Sequence, residues 1–379
     1  MIILCALSLL CLGVVMVQSA GLSVGDTAPI SVASIVLSRP MAYFALSLGA
    51  MLVASWAPTQ RFLETRQLSR SPIWILPVAL TLCLLVYLPA LSHEVNGSAR
   101  WIWLNIPGGG FSIQPSEFGK WGAIALVAWF GAFRGEHIKR FRGGLVLGLA
   151  PIVLLAGVIM LEDLGTAVLI GAVAVVILLA AGARFWHVLM LTPLAVVTLV
   201  VGVVVEPYRI RRLTAFVDPY ADPAGAGYHA IQSMAAVAGG DGFGRGLGFG
   251  LQKFGYLPED QTDFIFAIIS EELGIAGAAL VISLYLGLLW SGWTIVRRER
   301  SGAMRLLGLG ILMTIGLQAF INLAAVTGLG PTKGIALPLI SSGGTGWVLT
   351  AAFLGILVGM DRRQTRQESS AHQPNAALA

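Results

Sequence analysis

Residues Gly165–Ala181 read GTAVLIGAVAVVILLAA, and this run contains no charged side chain. A helix that crosses a hydrocarbon core of about 30 Å needs about 20 mostly apolar residues. Similar runs recur along the whole chain. The sequence therefore predicts ten membrane-spanning helices, near Ile2–Ala20, Met41–Trp56, Pro72–Leu91, Trp121–Phe133, Gly144–Leu161, Gly165–Ala181, Trp186–Val205, Phe264–Trp290, Leu306–Leu329 and Gly343–Met360.

The composition excludes most other classes of protein. Of the 379 residues, 56% are hydrophobic and 11% are charged, whereas a typical soluble domain has about 25% charged residues. The mean hydropathy is +0.83. The three cysteines lie within apolar runs and give no disulfide framework or metal cluster. The net charge of +5 comes from short basic clusters between apolar runs, which indicates membrane-facing loops and not nucleic-acid binding.

The distribution of basic residues predicts the orientation. Most Lys and Arg residues fall in alternate short loops if the N-terminus is inside, so both termini are predicted to be cytoplasmic. Residues 17–20 also resemble a signal-peptidase site, but no positive segment precedes the first apolar run, which favours its retention. We therefore expect one transmembrane domain over residues 1–361 and a disordered cytoplasmic tail over residues 362–379.

Two predicted outer segments are too long to be simple connectors, Ser92–Lys120 and Glu206–Asp263. Most acidic residues also fall on the outer side, so we expect any chemistry to occur there. The predicted fold is thus an all-α integral membrane protein, a polytopic bundle of about ten helices with a large extracytoplasmic loop, residues 206–263, between the seventh and eighth helices.

Two features near this loop have alternative interpretations. Glycine alternates with other residues in Gly239–Gly250, a pattern that serves either a ligand cradle or a re-entrant turn packed on helices. Glu271 and Glu272 lie inside the eighth predicted span, where carboxylates must be paired, protonated or in a wet cavity. Because the two side chains point to different faces of a helix, we favour structural pairing over catalysis.

Polar residues on the outer sides of other helices predict a vestibule with both signs of charge. Taken singly, each is more typical of an interfacial or capping residue than of a ligand. Together their cations suit an anionic phosphate substrate. The group comprises Asn96, Arg100, Gln114, Ser116, Glu117, Lys120, Glu162, Asp163 and Lys333.

Several motifs resemble a known family, the SEDS proteins of shape, elongation, division and sporulation. The motifs are Asn96–Ile102, Gln114–Glu117, Asp163–Thr166, Asp218-Pro219 with Gly225–Tyr228 and Gln232-Ser233, Tyr256–Glu259 with Thr262–Ile269 and Glu271–Gly274, and Pro331–Gly334 with Pro338–Ser341 and Gly343-Gly344. The form Pro331-Thr332-Lys333-Gly334 is more similar to division and sporulation members than to elongation members.

The resemblance implies a peptidoglycan glycosyltransferase that polymerises lipid II at the outer face of the bacterial inner membrane. Asp263 matches the family's essential aspartate, whose role would be general base. It would deprotonate the acceptor hydroxyl as undecaprenyl diphosphate leaves with inversion.

A diphosphate leaving group needs electrostatic stabilisation. The candidates for binding substrate or diphosphate are Arg100, Lys120, Arg209, Arg212, Lys333, Glu117 and Asp163. A divalent cation, Mg or Mn, held by acids such as Asp263 is a further expectation. Association with a class B penicillin-binding protein is also expected by resemblance, as are contacts with membrane lipid but not with nucleic acid.

The sequence departs from the family pattern at three positions. Ala99 stands where members usually have a basic residue, Glu162 where they have proline, and Gln261 where they have histidine. None of these changes removes the expected base.

Two other functions compete with the glycosyltransferase. A flippase for lipid-linked precursors should line the inner membrane half with polar residues, whereas the ionisable residues within the spans are almost confined to Glu271 and Glu272. A scaffold for a transpeptidase would not need the intact Asp263 motif.

Overall fold

The computed structural model describes residues 1–22, 35–65, 72–88, 92–95, 98–106, 109–332 and 334–371. Within these ranges, ten helices overlap the ten predicted spans and three further helices are short, so the predicted helical bundle is confirmed. The helices are α1 (Ile2–Ala20), α2 (Arg39–Trp56), α3 (Thr59–Glu64), α4 (Ile75–Leu85), α5 (Pro115–Arg134), α6 (Leu147–Glu162), α7 (Leu164–Ala180), α8 (Phe185–Val204), α9 (Pro207–Val217), α10 (Tyr228–Gly239), α11 (Ile265–Arg298), α12 (Gly302–Val326) and α13 (Thr345–Ala371).

The predicted outer segment Ser92–Lys120 contains a small antiparallel sheet. Its strands are β1 (Ser92–Val95), β2 (Ser98–Ile106) and β3 (Gly109–Ile113), with β2 in the middle. Thr345 at the start of α13 donates a hydrogen bond to the Ser112 carbonyl (3.0 Å) and accepts one from the Gln114 backbone (3.4 Å). These bonds attach the sheet, and Arg100 within β2, to the start of α13.

The surface of the bundle fits a multi-pass membrane protein. In the part of the chain that the structure describes, five helical stretches are long and apolar enough to cross a membrane by length and composition. Helix α8 illustrates the point, because Trp186 (71% exposed), Met190 (68%) and Val197 (57%) all project from it without covering neighbours. A helix that exposes such residues on much of its circumference is suited to hydrocarbon and not to water.

Helices α2 and α13 pack closely because glycine removes the side chains between them. A Cβ atom on Gly355 would lie 2.2 Å from the Met51 carbonyl oxygen, and one on Gly359 would lie 2.6 Å from the Ser55 carbonyl oxygen. The two glycines are four residues apart and so share one face of α13. Such small-residue spacing is typical of membrane helices, in which close van der Waals packing replaces the hydrophobic effect.

Helix α11 is broken at Gly274, where φ is 65° and ψ is −161°. The break leaves backbone groups without intrahelical partners, and the glycine-rich loop Gly239–Gly250 supplies them. Arg245 and Gly246 donate backbone hydrogen bonds to the carbonyls of residues 271 and 272 (both 3.0 Å). In return, Ile275 donates to the Asp241 carbonyl (3.0 Å) and Ala276 to the Gly242 carbonyl (3.3 Å).

The side chain of Glu272 anchors the same loop. Its carboxylate forms a fully buried ion pair with Lys253 (2.7 Å). It also accepts hydrogen bonds from Ser19 of α1 (2.9 and 2.7 Å) and from the backbones of Gly248 (2.9 Å) and Gly250 (3.4 Å). Every charge and donor in this cluster has a partner, which is what burial of a carboxylate requires.

Glu271 is paired in the same way on the other side of the loop. It accepts backbone hydrogen bonds from Leu251 (2.9 Å) and Gln252 (3.1 Å), and Arg245 lies 3.6 Å away. Both acids therefore pair within the bundle. The Gly239–Gly250 run packs on helices, and its amide donors bind protein groups.

The tail differs from the sequence-based expectation. We predicted disorder from residue 362, but α13 continues as a helix to Ala371. Arg298 of α11 pairs with Asp361 (2.9 Å) and lies 3.9 Å from Glu368, while Gln364 donates to the Ile295 carbonyl (3.1 Å). These contacts with α11 hold the polar turns in helical form. Residues 372–379 lie outside the described residues.

Replacing Lys253 with Met should destabilise the protein, because Glu272 would keep a buried charge without its counter-ion. Loss of one partner of a buried pair typically costs about 3–5 kcal/mol. The matched control is Lys139→Met, since Lys139 pairs with Glu136 on the surface and exposed pairs contribute about 0–1 kcal/mol. Equal unfolding temperatures for the two variants in detergent would contradict the importance of the buried pair.

Candidate active site

Asp263 lies where the outer loop enters the first half of α11, Ile265–Leu273. This half-helix is almost entirely buried, whereas the second half, from Ile275 onwards, exposes much of its surface. Asn322 of α12 donates hydrogen bonds to the backbone carbonyls of Asp263 (2.7 Å) and Ile335 (2.8 Å). Asp263 is thus fixed at the N-terminal end of a rigid, buried element.

Asn322 was missed in the sequence analysis. Together with Gln318, which donates to the Ala336 carbonyl (2.8 Å), it holds the segment that follows α12 against the bundle. A signal was present, because two amide side chains four residues apart lie on one face of an otherwise apolar span.

The carboxylate of Asp263 is half-buried among charges of both signs. Burial raises its pKa to about 7, and the nearby acids Glu259 and Asp163 act in the same direction, while Arg212 and Arg100 oppose the rise. A carboxyl group with a pKa near 7 is suited to exchange protons at neutral pH.

The backbone at Gly334 lies close to both Asp263 and Arg100. A Cβ atom built on Gly334 would lie 2.9 Å from Oδ2 of Asp263 and 3.7 Å from Nη1 of Arg100. The backbone of the segment after α12 therefore approaches both side chains closely, and only glycine leaves them room.

Arg212 of α9 approaches the same region from the large outer loop. Its guanidinium donates a weak hydrogen bond to the Thr332 carbonyl (3.4 Å) and lies over the ring of Tyr208, 4.4 Å from its centre. Arg100 and Arg212 are thus two predicted cations that the structure brings to Asp263. Lys333 lies outside the described residues.

Two other predicted cations form hydrogen bonds to other groups within the protein. Lys120 is buried and bonds to Glu117 (2.7 Å) and Gln318 (3.0 Å), which joins α5 to α12. Arg209 donates to the carbonyls of Gly202 (2.6 Å), Met160 (3.0 Å) and Leu161 (3.1 Å) and so caps the ends of α6 and α8. These two side chains therefore use their hydrogen-bond donors within the protein.

Asp163 has a structural partner as well as an electrostatic effect on the site. It caps the N-terminus of α7 by accepting hydrogen bonds from the backbone (2.9 Å) and hydroxyl (2.7 Å) of Thr166. Glu162 lies beside it and lines a small cleft with Arg100 and Tyr87.

The side chains around Asp263 form a poor donor set for a metal ion. Among the described residues, no three His, Cys, Asp or Glu side chains are close enough together to hold a metal ion. The residues that surround Asp263 include two arginines, which also disfavour a bound cation. These residues on their own do not fit a resident divalent ion.

Comparison with known proteins identifies the family. The sequence matches the FtsW/RodA/SpoVE family of cell cycle proteins over residues 1–366. The chain belongs to this family.

Relatives of the FtsW/RodA/SpoVE family cover most of the chain. A probable peptidoglycan glycosyltransferase FtsW from Geobacter metallireducens is 37% identical over 363 residues, which are 96% of this chain and 94% of the relative. The stage V sporulation protein E of Bacillus subtilis is 40% identical over 289 residues, covering 76% of this chain and 78% of the relative. The resemblance stated from the motifs is thus confirmed.

Solved structures share the fold. Thermus thermophilus RodA superposes with a TM-score of 0.62 at 21% identity and 96% coverage of both chains. A chain described under "Structural coordination of polymerization and crosslinking by a peptidoglycan synthase complex" gives 0.72 at 24% identity, covering 96% of this chain and 97% of that one. The polytopic fold of the FtsW/RodA/SpoVE family is therefore present here.

Removing one charge near Asp263 should shift its titration. Glu259→Gln removes a negative charge that raises the pKa of Asp263, so this pKa should fall below about 7, whereas Arg212→Gln should raise it. The measurement is carbon-13 NMR of aspartate labelled at the side-chain carboxyl, with Asp263→Asn to assign the resonance. Glu206→Gln, an exposed change on the same loop, should leave the midpoint in place. Shifts of the same sign for Glu259→Gln and Arg212→Gln would contradict the proposed electrostatics.

Proposed function

We propose that this chain is a peptidoglycan glycosyltransferase that polymerises lipid II at the outer face of the bacterial plasma membrane. The observation that carries the proposal is a half-buried aspartate, Asp263, with a pKa raised to about 7 and two arginines beside it. Relatives about 36–37% identical over nearly the whole chain are named probable peptidoglycan glycosyltransferases, which supports the same reaction.

Asp263 is the general base in the proposed reaction. The acceptor sugar hydroxyl attacks the anomeric carbon of the donor from the face opposite to the diphosphate, and its proton passes to the Asp263 carboxylate. The new glycosidic C–O bond forms as the bond from the anomeric carbon to the diphosphate oxygen breaks. Undecaprenyl diphosphate departs with that electron pair, so the transfer inverts the anomeric configuration. A base with a pKa near 7 is deprotonated in a large fraction of molecules at neutral pH and still accepts a proton readily.

Arg100 and Arg212 stabilise the leaving diphosphate. Both arginines lie at the outer site beside Asp263, and guanidinium groups bind phosphate oxygens in a planar, bidentate manner. The N-terminus of α11 adds the positive end of a helix dipole. Lys333 remains a proposed third cation, whereas Lys120 and Arg209 support the surrounding helices.

The active site faces the periplasmic or extracellular side, and both termini face the cytoplasm. This orientation rests on the accumulation of Lys and Arg in alternate loops. The lipid substrate carries its own leaving group and needs no nucleotide. In this orientation, it lies on the same side of the membrane as the growing glycan.

The remaining proposals concern a cation and a partner. Because the residues around Asp263 do not fit a resident divalent ion, an Mg or Mn ion would enter with the substrate diphosphate, whose oxygens would be its main ligands, and it would neutralise charge on the leaving group. A class B penicillin-binding protein is the proposed partner, and a structural neighbour described as part of a peptidoglycan synthase complex supports that association.

Replacing Asp263 should abolish polymerisation without unfolding the protein. The experiment is gel analysis of glycans made from labelled lipid II by the purified chain with its transpeptidase and Mg or Mn, comparing the native chain with Asp263→Asn and Asp263→Ala. We expect long glycans from the native chain and at least a hundredfold less product from both variants, since a general base contributes about 10²–10⁴-fold.

The controls separate this activity from a flippase or scaffold. Asp218→Asn, an exposed aspartate on the same outer loop, should polymerise like the native chain. If the folded native protein made no glycan but translocated lipid in vesicles, the result would favour a flippase. Full polymerisation activity of the Asp263 variants would show that Asp263 is not the general base.

Gly334→Ala should also impair the reaction. The new methyl group would lie 2.9 Å from Oδ2 of Asp263, so the carboxylate or the loop must move. We expect at least a tenfold loss of polymerisation, because small displacements of catalytic groups are costly. Gly330→Ala is the matched control, since its Cβ would meet no atom closer than 3.5 Å. Equal activity of the two variants would show that the close approach at Gly334 is unimportant.

A further inference from the structure

His229 lies on α10, and its ring is held beside the candidate base. The imidazole stacks on Phe264, the residue after Asp263, with ring centroids 5.8 Å apart and an interplanar angle of 24°. Tyr228 contacts it edge-on, with centroids 6.4 Å apart. These contacts fix the plane of the ring at the outer end of the buried half of α11.

His229 shares its charged neighbours with Asp263. Arg212 and Glu259 act electrostatically on both side chains, so all four groups belong to one cluster. Burial and Arg212 lower the pKa of His229, while Glu259 opposes this effect. The ring is therefore neutral at pH 7 and presents one hydrogen-bond donor and one acceptor.

Neither ring nitrogen of His229 has a hydrogen-bond partner among the residues that the structure describes. The His229 side chain is half-buried, so part of it is open to solvent. A polar group that is held firmly by packing, but whose donor and acceptor are unused, is well placed to bind a ligand.

We propose that His229 is a substrate-contacting residue that hydrogen-bonds a hydroxyl or acetamido group of the amino sugar bound at Asp263. This inference rests on the proposed glycosyltransferase function and assigns a binding role to a residue outside the motifs of the sequence analysis. A sugar hydroxyl donates and accepts at once, which matches a neutral imidazole. A cationic ligand group would be repelled by Arg212, and the diphosphate is better matched by the arginines.

The test separates binding from catalysis. Binding of fluorescent lipid II to the full chain in nanodiscs is measured in an Asp263→Asn background, where no turnover occurs. His229→Phe keeps an aromatic ring against Phe264 but removes both nitrogens. We expect it to weaken binding about threefold to tenfold, the effect of one neutral hydrogen bond. His229→Gln restores a donor and an acceptor and should bind within about twofold of the parent.

The matched control is His187→Phe. His187 also contacts an aromatic ring, Phe141, at 5.3 Å, but it lies on α8 at the opposite side of the predicted membrane. This variant should bind lipid II like the parent. Unfolding temperatures within a few degrees of the parent would show that His229→Phe acts on binding and not on folding.

The outcomes distinguish the two proposals. If the parent binds lipid II and His229→Phe binds equally well, the role of His229 is wrong and the glycosyltransferase proposal stands. If His229→Phe and His229→Gln lose binding and unfolding temperature in parallel, His229 is structural and the inference is overturned. If the parent does not bind lipid II, the proposed function itself fails.

Discussion

The constraint on which this structure depends is that every backbone N–H and C=O group at membrane depth needs a partner inside the protein. Hydrocarbon supplies none, and each unpaired group costs several kcal/mol. The break at Gly274 would expose such groups, and it is tolerated because the loop Gly239–Gly250 bonds to both sides of it. Alternating glycines allow this fit: a Cβ on Gly244 would lie 2.2 Å from the Glu272 carbonyl oxygen. The broken helix and the loop are therefore a single structural unit.

That unit positions the candidate site. Because the first half of α11 is buried and tied to α1 through Glu272 and Ser19, it cannot shift easily along the bundle. Asn322 fixes the backbone of Asp263 at its outer end. The same burial that makes the element rigid also places the carboxylate in a low dielectric, which raises its pKa. Rigidity and a raised pKa thus have one cause.

The sequence was sufficient to predict the helices but not all of their ends. A span of about 20 apolar residues is a strong signal because the thickness of the membrane requires it. The end of α13 was predicted wrongly because the polar turns after Asp361 are held by contacts with Arg298 and Ile295, which are distant in sequence. The strands β1–β3 were missed within a predicted outer segment for a related reason, since their pairing is also tertiary.

Among the site residues, too, some could be predicted from the sequence and others depend on tertiary packing. Asp263 was identified by its motif, and Arg100 and Arg212 by charge and side. Charge alone could not separate them from Lys120 and Arg209, whose partners are buried side chains and helix-end carbonyls. Asn322 and His229 carry no charge at pH 7 and lie outside the motifs, so their positions emerge only when α10, α11 and α12 are packed together.

The balance of charge around Asp263 connects substrate binding to the chemistry of the proposed reaction. A bound diphosphate would add negative charge, which by itself would raise the pKa of Asp263 further and leave the base protonated. Arg100 and Arg212 oppose such a rise already in the free protein. The same two side chains can therefore bind the diphosphate and keep the base able to accept a proton. Replacing either arginine would weaken both steps together, so an effect on substrate binding alone is not expected from this arrangement.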